Sequence, residues 1–318
     1  MVNDGIFSSS DVTAANIGKI SNHQSLLEEQ RICELSELSA DAVSYAFRME
    51  KEGYGVYEIL SIIAEGFLSQ SETPHEPSLD ENKMRLSAYL KMTSAYDKIT
   101  FTELFYDMMK EAGHEISEGD FLKTVQGDST FTYVKNSLAD EAYDVFTQDF
   151  SDARVRYSKT LSDAARLVAV GEVGYALLPL EERGGARLST VAELIFKEDL
   201  KINSVTPVFG YEGTADMKYA LVSRGFNVPS VCTDDDRYLE IRLRADLSVP
   251  LSELFWAAES LGCTVYRVNT IVFDTDDGPV NYYSVVFKDE DKDFSSLLVY
   301  LTLFSGAYTP IGIYKNLE

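Results

Sequence analysis

The side chains best suited to catalysis or metal binding are few in this sequence. His23, His75 and His114 fall at no HxxxH spacing, so a histidine-based metal site or a Ser-His-Asp triad lacks its parts. Cys33, Cys232 and Cys263 are odd in number, widely spaced and outside any CxxC pattern. They predict reduced thiols and neither a disulfide framework nor structural zinc. No metal and no cofactor are expected. What remains is cation chemistry: Lys135, Arg183, Arg187 and Lys218 could hold an anion through charge-assisted hydrogen bonds. The plainer reading of each is a solvated surface charge.

The chain as a whole is acidic, with 52 Asp and Glu against 28 Lys and Arg and a formal charge of −24. Nonspecific attraction to nucleic-acid phosphates or anionic membrane is disfavoured, so partners are expected to be small molecules, neutral or anionic and held by local donors. Apolar runs such as Leu297–Leu301 fall far short of the roughly 18 residues a membrane span needs. The N-terminal MVNDGIFSSSDVTAAN has no basic cluster and no apolar core, which reads as a cytoplasmic protein. With 318 residues, 45% of them hydrophobic and 12% aromatic, the composition is that of a folded chain of two or three domains.

Three regions must position these groups. Residues 1–20 read as loosely ordered, and 21–117 as a helical domain in which Leu35, Leu38, Ala42, Tyr45, Ala46 and Met49 recur at three and four. Helical blocks are expected at Asp41–Lys51, Tyr57–Ser69, Asp80–Ala95 and Thr102–Gly113, the last capped from Thr100. Residues 118–228 alternate strand and helix, the pattern of an α/β lobe with a mostly parallel sheet. Strands are expected at Phe121–Val125, Ala153–Tyr157, Tyr175–Leu180, Leu200–Phe209 and Lys218–Ser223, and helices at Thr132–Phe146, Ser162–Val170 and Ser189–Glu198. Residues 236–318 read strand, helix, strand, strand, helix, strand, the split βαβ or ferredoxin-like order. There Leu239, Ile241 and Leu243 alternate with Glu240, Arg242 and Arg244, which predicts a sheet with one buried and one wet face.

The order of the last two regions, with the string VAVGEVGYALLPLEERGGARL at 168–188, resembles prephenate dehydratase with its C-terminal ACT domain, over roughly Phe121 to Tyr314. The family's Gly-Thr-Phe-Ser looks like Ser129, Thr130, Phe131 and Thr132, where a helix N-terminus could offer N–H groups to a carboxylate. Its Asp-Tyr-Gly-Val-Val-Pro-Ile-Glu-Asn-Ser is similar to the stretch from Gly174 to Arg183, with Glu181 in place of the glutamate. In the ACT part, the family's Gly-Ala-Leu looks like Val249, Pro250 and Leu251, and its Glu-Ser-Arg-Pro like Asn269, Thr270, Ile271 and Val272. Gly262 before the second strand matches. The resemblance implies an enzyme that removes carbon dioxide and water from prephenate, regulated by phenylalanine, with Thr130, Thr132, Glu181 and Lys218 as residual catalytic candidates. Ligand-binding candidates on the same basis are Ser129, Thr130, Phe131, Glu181, Arg183, Val249, Leu251, Asn269 and Thr270.

Departures from the family pattern point away from catalysis. Only Gly210 to Asp216 stand where the family has a second lobe, so a cleft with one wall could not exclude water around a dicarboxylate. The family's catalytic threonine aligns with Met217, whose thioether cannot donate a proton. Glu182 would repel a dianion. Helical residues around Asp80–Met84, with Arg31, Arg48 and Arg85, resemble a chorismate mutase only poorly. The expected fold is therefore α+β: a helical bundle, half of a prephenate-dehydratase (periplasmic-binding-protein-like) domain, and a ferredoxin-like βαββαβ ACT domain. The expected function is non-catalytic binding of an aromatic amino acid or prephenate-like anion, with regulation or assembly as a homodimer through the ACT-like domain. An active prephenate dehydratase or chorismate mutase, and a purely structural oligomerisation module, are the alternatives.

Overall fold

In the computed structural model the described residues are 9–65, 94–125, 127–148, 150–182, 185, 187–210, 216–227, 236–245, 250–275, 278–290, 293–305 and 308–315, with 9–24, 65, 274 and 275 described by their backbone alone. The helical region begins with α1 (Ser9–Lys51), a helix of 43 residues and so about 64 Å long. It takes in residues that read as loosely ordered from sequence. Gly53, at φ +96°, breaks the chain before α2 (Val56–Glu65). Helix α3 (Ala95–Glu111) starts earlier than Thr100 would have capped it. Ser94 is its N-cap, in a capping box with Asp97, and Thr102 lies inside the helix with its hydroxyl donating to the Lys98 carbonyl at 2.8 Å. Leu35, Leu38 and Ala42 of α1 pack with Ile59, Leu60, Phe101 and Phe105, and with Val299 and Leu303 from the C-terminal part. Apart from its last two residues, the expected Asp80–Ala95 block lies outside the described residues.

The middle region contains β1 (Thr130–Val134), α4 (Ser137–Phe146), β2 (Arg154–Ser158), α5 (Leu161–Ala169), β3 (Tyr175–Glu182), α6 (Ser189–Lys197), β4 (Lys201–Val208) and β5 (Met217–Ser223). Two expectations fail at its start. Phe121–Val125 forms no strand: a 3-10 turn at Glu118–Asp120 precedes a single bridge between Thr124 and Phe226. Thr132 starts no helix either, because the β-branched and aromatic run TFTYV is the first strand and Asn136 caps α4. The sheet is mixed where a mostly parallel one was expected. β1 runs parallel to β2 and β3, but β5 is antiparallel to both β3 and β4. The residues 209–216 linking β4 to β5 are too few for a crossover of about a dozen, so the two strands form a hairpin.

The C-terminal region is β6 (Arg237–Arg244), α7 (Leu251–Ser260), β7 (Cys263–Thr275), β8 (Gly278–Asp289), α8 (Ser295–Tyr300) with a π turn at Leu301–Ser305, and β9 (Tyr308–Lys315). Its strands lie in the order β9-β6-β8-β7, which is the split βαβ arrangement. β9 also pairs with β4, Gly312 against Ile202, so the strands form one nine-stranded sheet, β2-β1-β3-β5-β4-β9-β6-β8-β7. A Cβ on Gly312 would sit 2.8 Å from the Ile202 Cβ, so glycine permits this junction. The expectation of a wet face on β6 is corrected by this junction. Leu239, Ile241 and Leu243 pack under α7 and α8, while Tyr238 on the other face joins the core of the middle region and Glu240 is buried with it. Among the described residues no helix is long and apolar enough to cross a membrane.

Candidate functional site

In an open α/β sheet the ligand crevice forms at the carboxyl ends of parallel strands, where neighbouring connections leave in opposite directions. Here that place lies between β1 and β3. Asn136, just beyond β1, accepts from the Ala139 amide at 2.9 Å through Oδ1 and donates to the Val134 carbonyl at 3.1 Å. The Tyr219 hydroxyl donates to the same Oδ1 at 3.4 Å. Tyr133 donates to Asp140 at 2.7 Å, and Lys135 lies 4.7 Å from the centre of the Tyr157 ring. Burial raises both the Tyr133 and the Tyr219 phenols, so neither is a base near neutral pH. Asn136 and Tyr219 carried no motif in the sequence; a capping asparagine after a β-branched run was the signal available.

On the β3 side of this crevice Glu181 and Arg187 are already paired. Glu181 and Lys218 are partners in the β3–β5 ladder and line one cavity with Tyr238, Tyr266, Arg267 and Tyr314. That cavity is about 10 Å³, room for no more than about one water. Glu181 is 5% exposed, and Arg267 from β7 donates to its Oε1. Its Oε2 has no hydrogen-bond partner, and Lys218 makes no ion pair among the described residues. A second pair lies alongside. Arg187 holds Glu240 of β6 in a bidentate grip at 2.8 and 2.9 Å, their side chains 7% and 4% exposed. The Ser284 and Tyr314 hydroxyls both donate to Glu240, at 2.8 and 3.4 Å. Burial, then the Glu240 carboxylate, holds the Tyr314 phenol well above its ordinary value. A third cluster joins Glu118 to Arg237, and Arg237 to Asp289 at 3.3 Å, with the Phe294 amide donating to Glu118 at 2.9 Å. All three clusters bridge the C-terminal strands to the rest of the chain.

The candidates from sequence therefore divide. Glu181 and Lys218 come together; Thr130 and Thr132 do not join them. Thr132 pairs with Ala176, five residues before Glu181 on β3, which at about 3.3 Å per residue is roughly 16 Å away. Its hydroxyl is bonded to Ser158 at 2.7 Å. Thr130 and Ser129 sit at the opposite end of β1, where Ser129 accepts from the Arg154 amide at 2.9 Å. Phe131 is core, packed against Tyr143, Phe150 and Tyr175, and is not free for a ligand. Ser129 to Thr132 thus offers no helix N-terminus to an anion, because the helix begins after Asn136. Leu251 is half-buried against the C-terminal core, Thr270 is exposed, and Asn269 is half-buried with Nδ2 unpartnered. Arg183 and Val249 lie outside the described residues. Arg31, noted for a mutase-like site, instead pairs with Asp97 at the start of α3. Among the described residues no group of three His, Cys, Asp or Glu could hold a metal ion.

No family model matches the chain, and no curated protein matches it. Similar backbones occur among solved structures. Prephenate dehydratase from Streptococcus mutans is 12% identical with a TM-score of 0.47, covering 59% of this chain and 99% of that one. Prephenate dehydratase from Arthrobacter aurescens, in complex with L-Phe, is 14% identical with a TM-score of 0.45, covering 58% and 89%. GqqA, described as a novel type of quorum quenching acylase, is 14% identical with a TM-score of 0.44, covering 59% and 96%. Likeness at this level assigns no activity, which has to be argued from the residues.

Proposed function

We propose that this chain is a prephenate-dehydratase-like protein that does not dehydrate prephenate, and that its βαββαβ part is an ACT module. The reading rests on one observation above all: the Glu181 carboxylate, the chain's best match to the family's motif, is buried and neutralised by Arg267. Its Oε2 is unpartnered, but the cavity that Glu181 lines has room for no more than about one water, so no substrate can reach it there. Met217 at the neighbouring position cannot donate a proton, and the β4–β5 hairpin supplies one wall of a cleft and not two. The module's role is then to bind an aromatic amino acid or a related small anion, in regulation or assembly. Asn269, with an unpartnered Nδ2, and Thr270 support a ligand at β7.

Purified protein incubated with prephenate should give no phenylpyruvate absorbance above the uncatalysed rate; turnover at family-like rates would overturn the reading. Addition of phenylalanine, tyrosine or tryptophan at 100 times the dissociation constant should stabilise the fold by about 2.7 kcal/mol. No shift with any of the three would remove the ligand-binding role and leave a structural one.

A specific observation favours that structural reading as a component of the first. β9 has both neighbours, so the module's free edge is β7, on which Val268 and Val272 are 37% and 57% exposed and share a face with Thr270. A homodimer through the ACT-like part would use this edge.

A further inference from the structure

At the other end of the parallel strands, before β1 and β3, the chain forms a cleft of about 120 Å³. This is close to the roughly 150 Å³ cavity known to hold benzene, so a ligand of about six to eight non-hydrogen atoms fits. Its walls are backbone. A Cβ on Gly174 would lie 2.1 Å from the Asp128 carbonyl oxygen, and one on Gly127 would lie 3.1 Å from the Gly174 Cα. No side chain fits at these positions, because the segments before β1 and β3 pack main chain against main chain there and so fix the rim of the cleft. Gly171, at φ +79°, ends α5 and lets the Arg224 guanidinium lie over it; a Cβ there would be 2.9 Å from Nη1.

Two charges of opposite sign line this cleft. Arg224 makes no ion pair among the described residues, in a chain with almost two acids for each base. Asp128 uses Oδ1 to accept the Thr130 amide at 3.0 Å and likewise meets no cation there. Both residues line the same small space, and no ion pair joins them. Ser223 adds no free donor, since its hydroxyl donates to the Gly225 carbonyl at 2.7 Å and accepts from Asn203 at 2.8 Å. The complement of one guanidinium and one carboxylate across a space of this size is a small zwitterion.

We propose that this cleft binds a small α-amino acid, its carboxylate on Arg224 and its ammonium on Asp128. A dicarboxylate would set its second charge against Asp128, and a simple anion would leave Asp128 unanswered. The site is separate from the carboxyl edge: Gly174 and Glu181 are seven residues apart along β3, about 23 Å. It is independent of whether prephenate is turned over.

Calorimetric titration of the full chain with glycine, L-alanine and L-serine, and with acetate and methylammonium as half-probes, tests the assignment. Alanine or serine should bind saturably and more tightly than either half-probe. Arg224→Ala should weaken alanine at least tenfold, and Asp128→Asn should weaken alanine while leaving acetate no weaker. Both side chains are exposed, so neither change threatens folding. No saturable binding up to about 10 mM, a range that covers interactions of a few kcal/mol, overturns the proposal. So does acetate binding as tightly as alanine, or binding that both substitutions leave unchanged.

Discussion

The two ends of the same parallel strands treat their charged residues differently. At the carboxyl ends, Glu181 meets Arg267 from 86 residues away in the sequence, and beside it Arg187 meets Glu240 from 53 away. At the amino ends, Arg224 and Asp128 face a cleft and meet no counter-ion among the described residues. The carboxyl end is where open α/β sheets place their ligands, and here Arg267 and Glu240 of the C-terminal strands reach its β3 side. The Glu181–Arg267 and Arg187–Glu240 pairs there hold the chain together; Arg224 and Asp128 at the other end are left for something else. That contrast also separates stability from binding, because a buried pair resists removal of one partner while an exposed single charge does not.

The largest effect expected is at the sealed end. Arg187→Ala leaves Glu240 buried with only Ser284 and Tyr314 as partners, and should lower stability by about 3–5 kcal/mol in urea denaturation. Arg224→Ala, at the open end, should change it by less than about 0.5 kcal/mol. Equal losses at the two sites would break the comparison.

Alkaline pH offers a second probe, of the buried core of the C-terminal region. Burial, then Asp289, pushes the Cys263 thiol from its ordinary 9.0 up to about 12. Between those values the unfolded chain gives up this proton and the folded chain keeps it. Its stabilisation is thus whole below about pH 9 and falls by up to about 1.4 kcal/mol per pH unit as the pH rises towards 12. The phenols of Tyr300, Tyr308 and Tyr314, also raised mainly by burial, slope the same way. Cys263→Ala should make the decline between about pH 9 and pH 11 shallower by up to one proton's worth. An unchanged slope would mean that the thiol titrates in the folded chain as it does in water.

The elements of this fold were legible where local pattern decides them. Leu239, Ile241 and Leu243 mark β6 by their alternation, and the expected order strand, helix, strand, strand, helix, strand is the one found from β6 to β9. Phe121–Val125 has the composition of a strand and forms none, whereas the first strand, Thr130–Val134, abuts the Asn136 cap and so resembles the start of a helix. The wet face predicted for β6 is absent at Glu240 because alternation reports only that Glu240 and Arg242 are charged. It cannot report that Arg187 comes to cover one of them. Likewise Glu181 could be picked out by its motif, while its partner Arg267 lies 86 residues on and bore no signal. Pairings of this separation are set by sheet order, and β4 meeting β9 is not written in either strand alone.

The Glu181–Arg267 contact can be tested by a double-mutant cycle in which Glu181→Gln, Arg267→Gln and the double variant are compared by denaturant unfolding. A coupling energy of at least about 1 kcal/mol is expected, within the roughly 0.5–3 kcal/mol range of contacting buried partners. Additive losses, with a coupling near zero, would mean that Glu181 stands free at the carboxyl edge and that the reading of a closed site is mistaken.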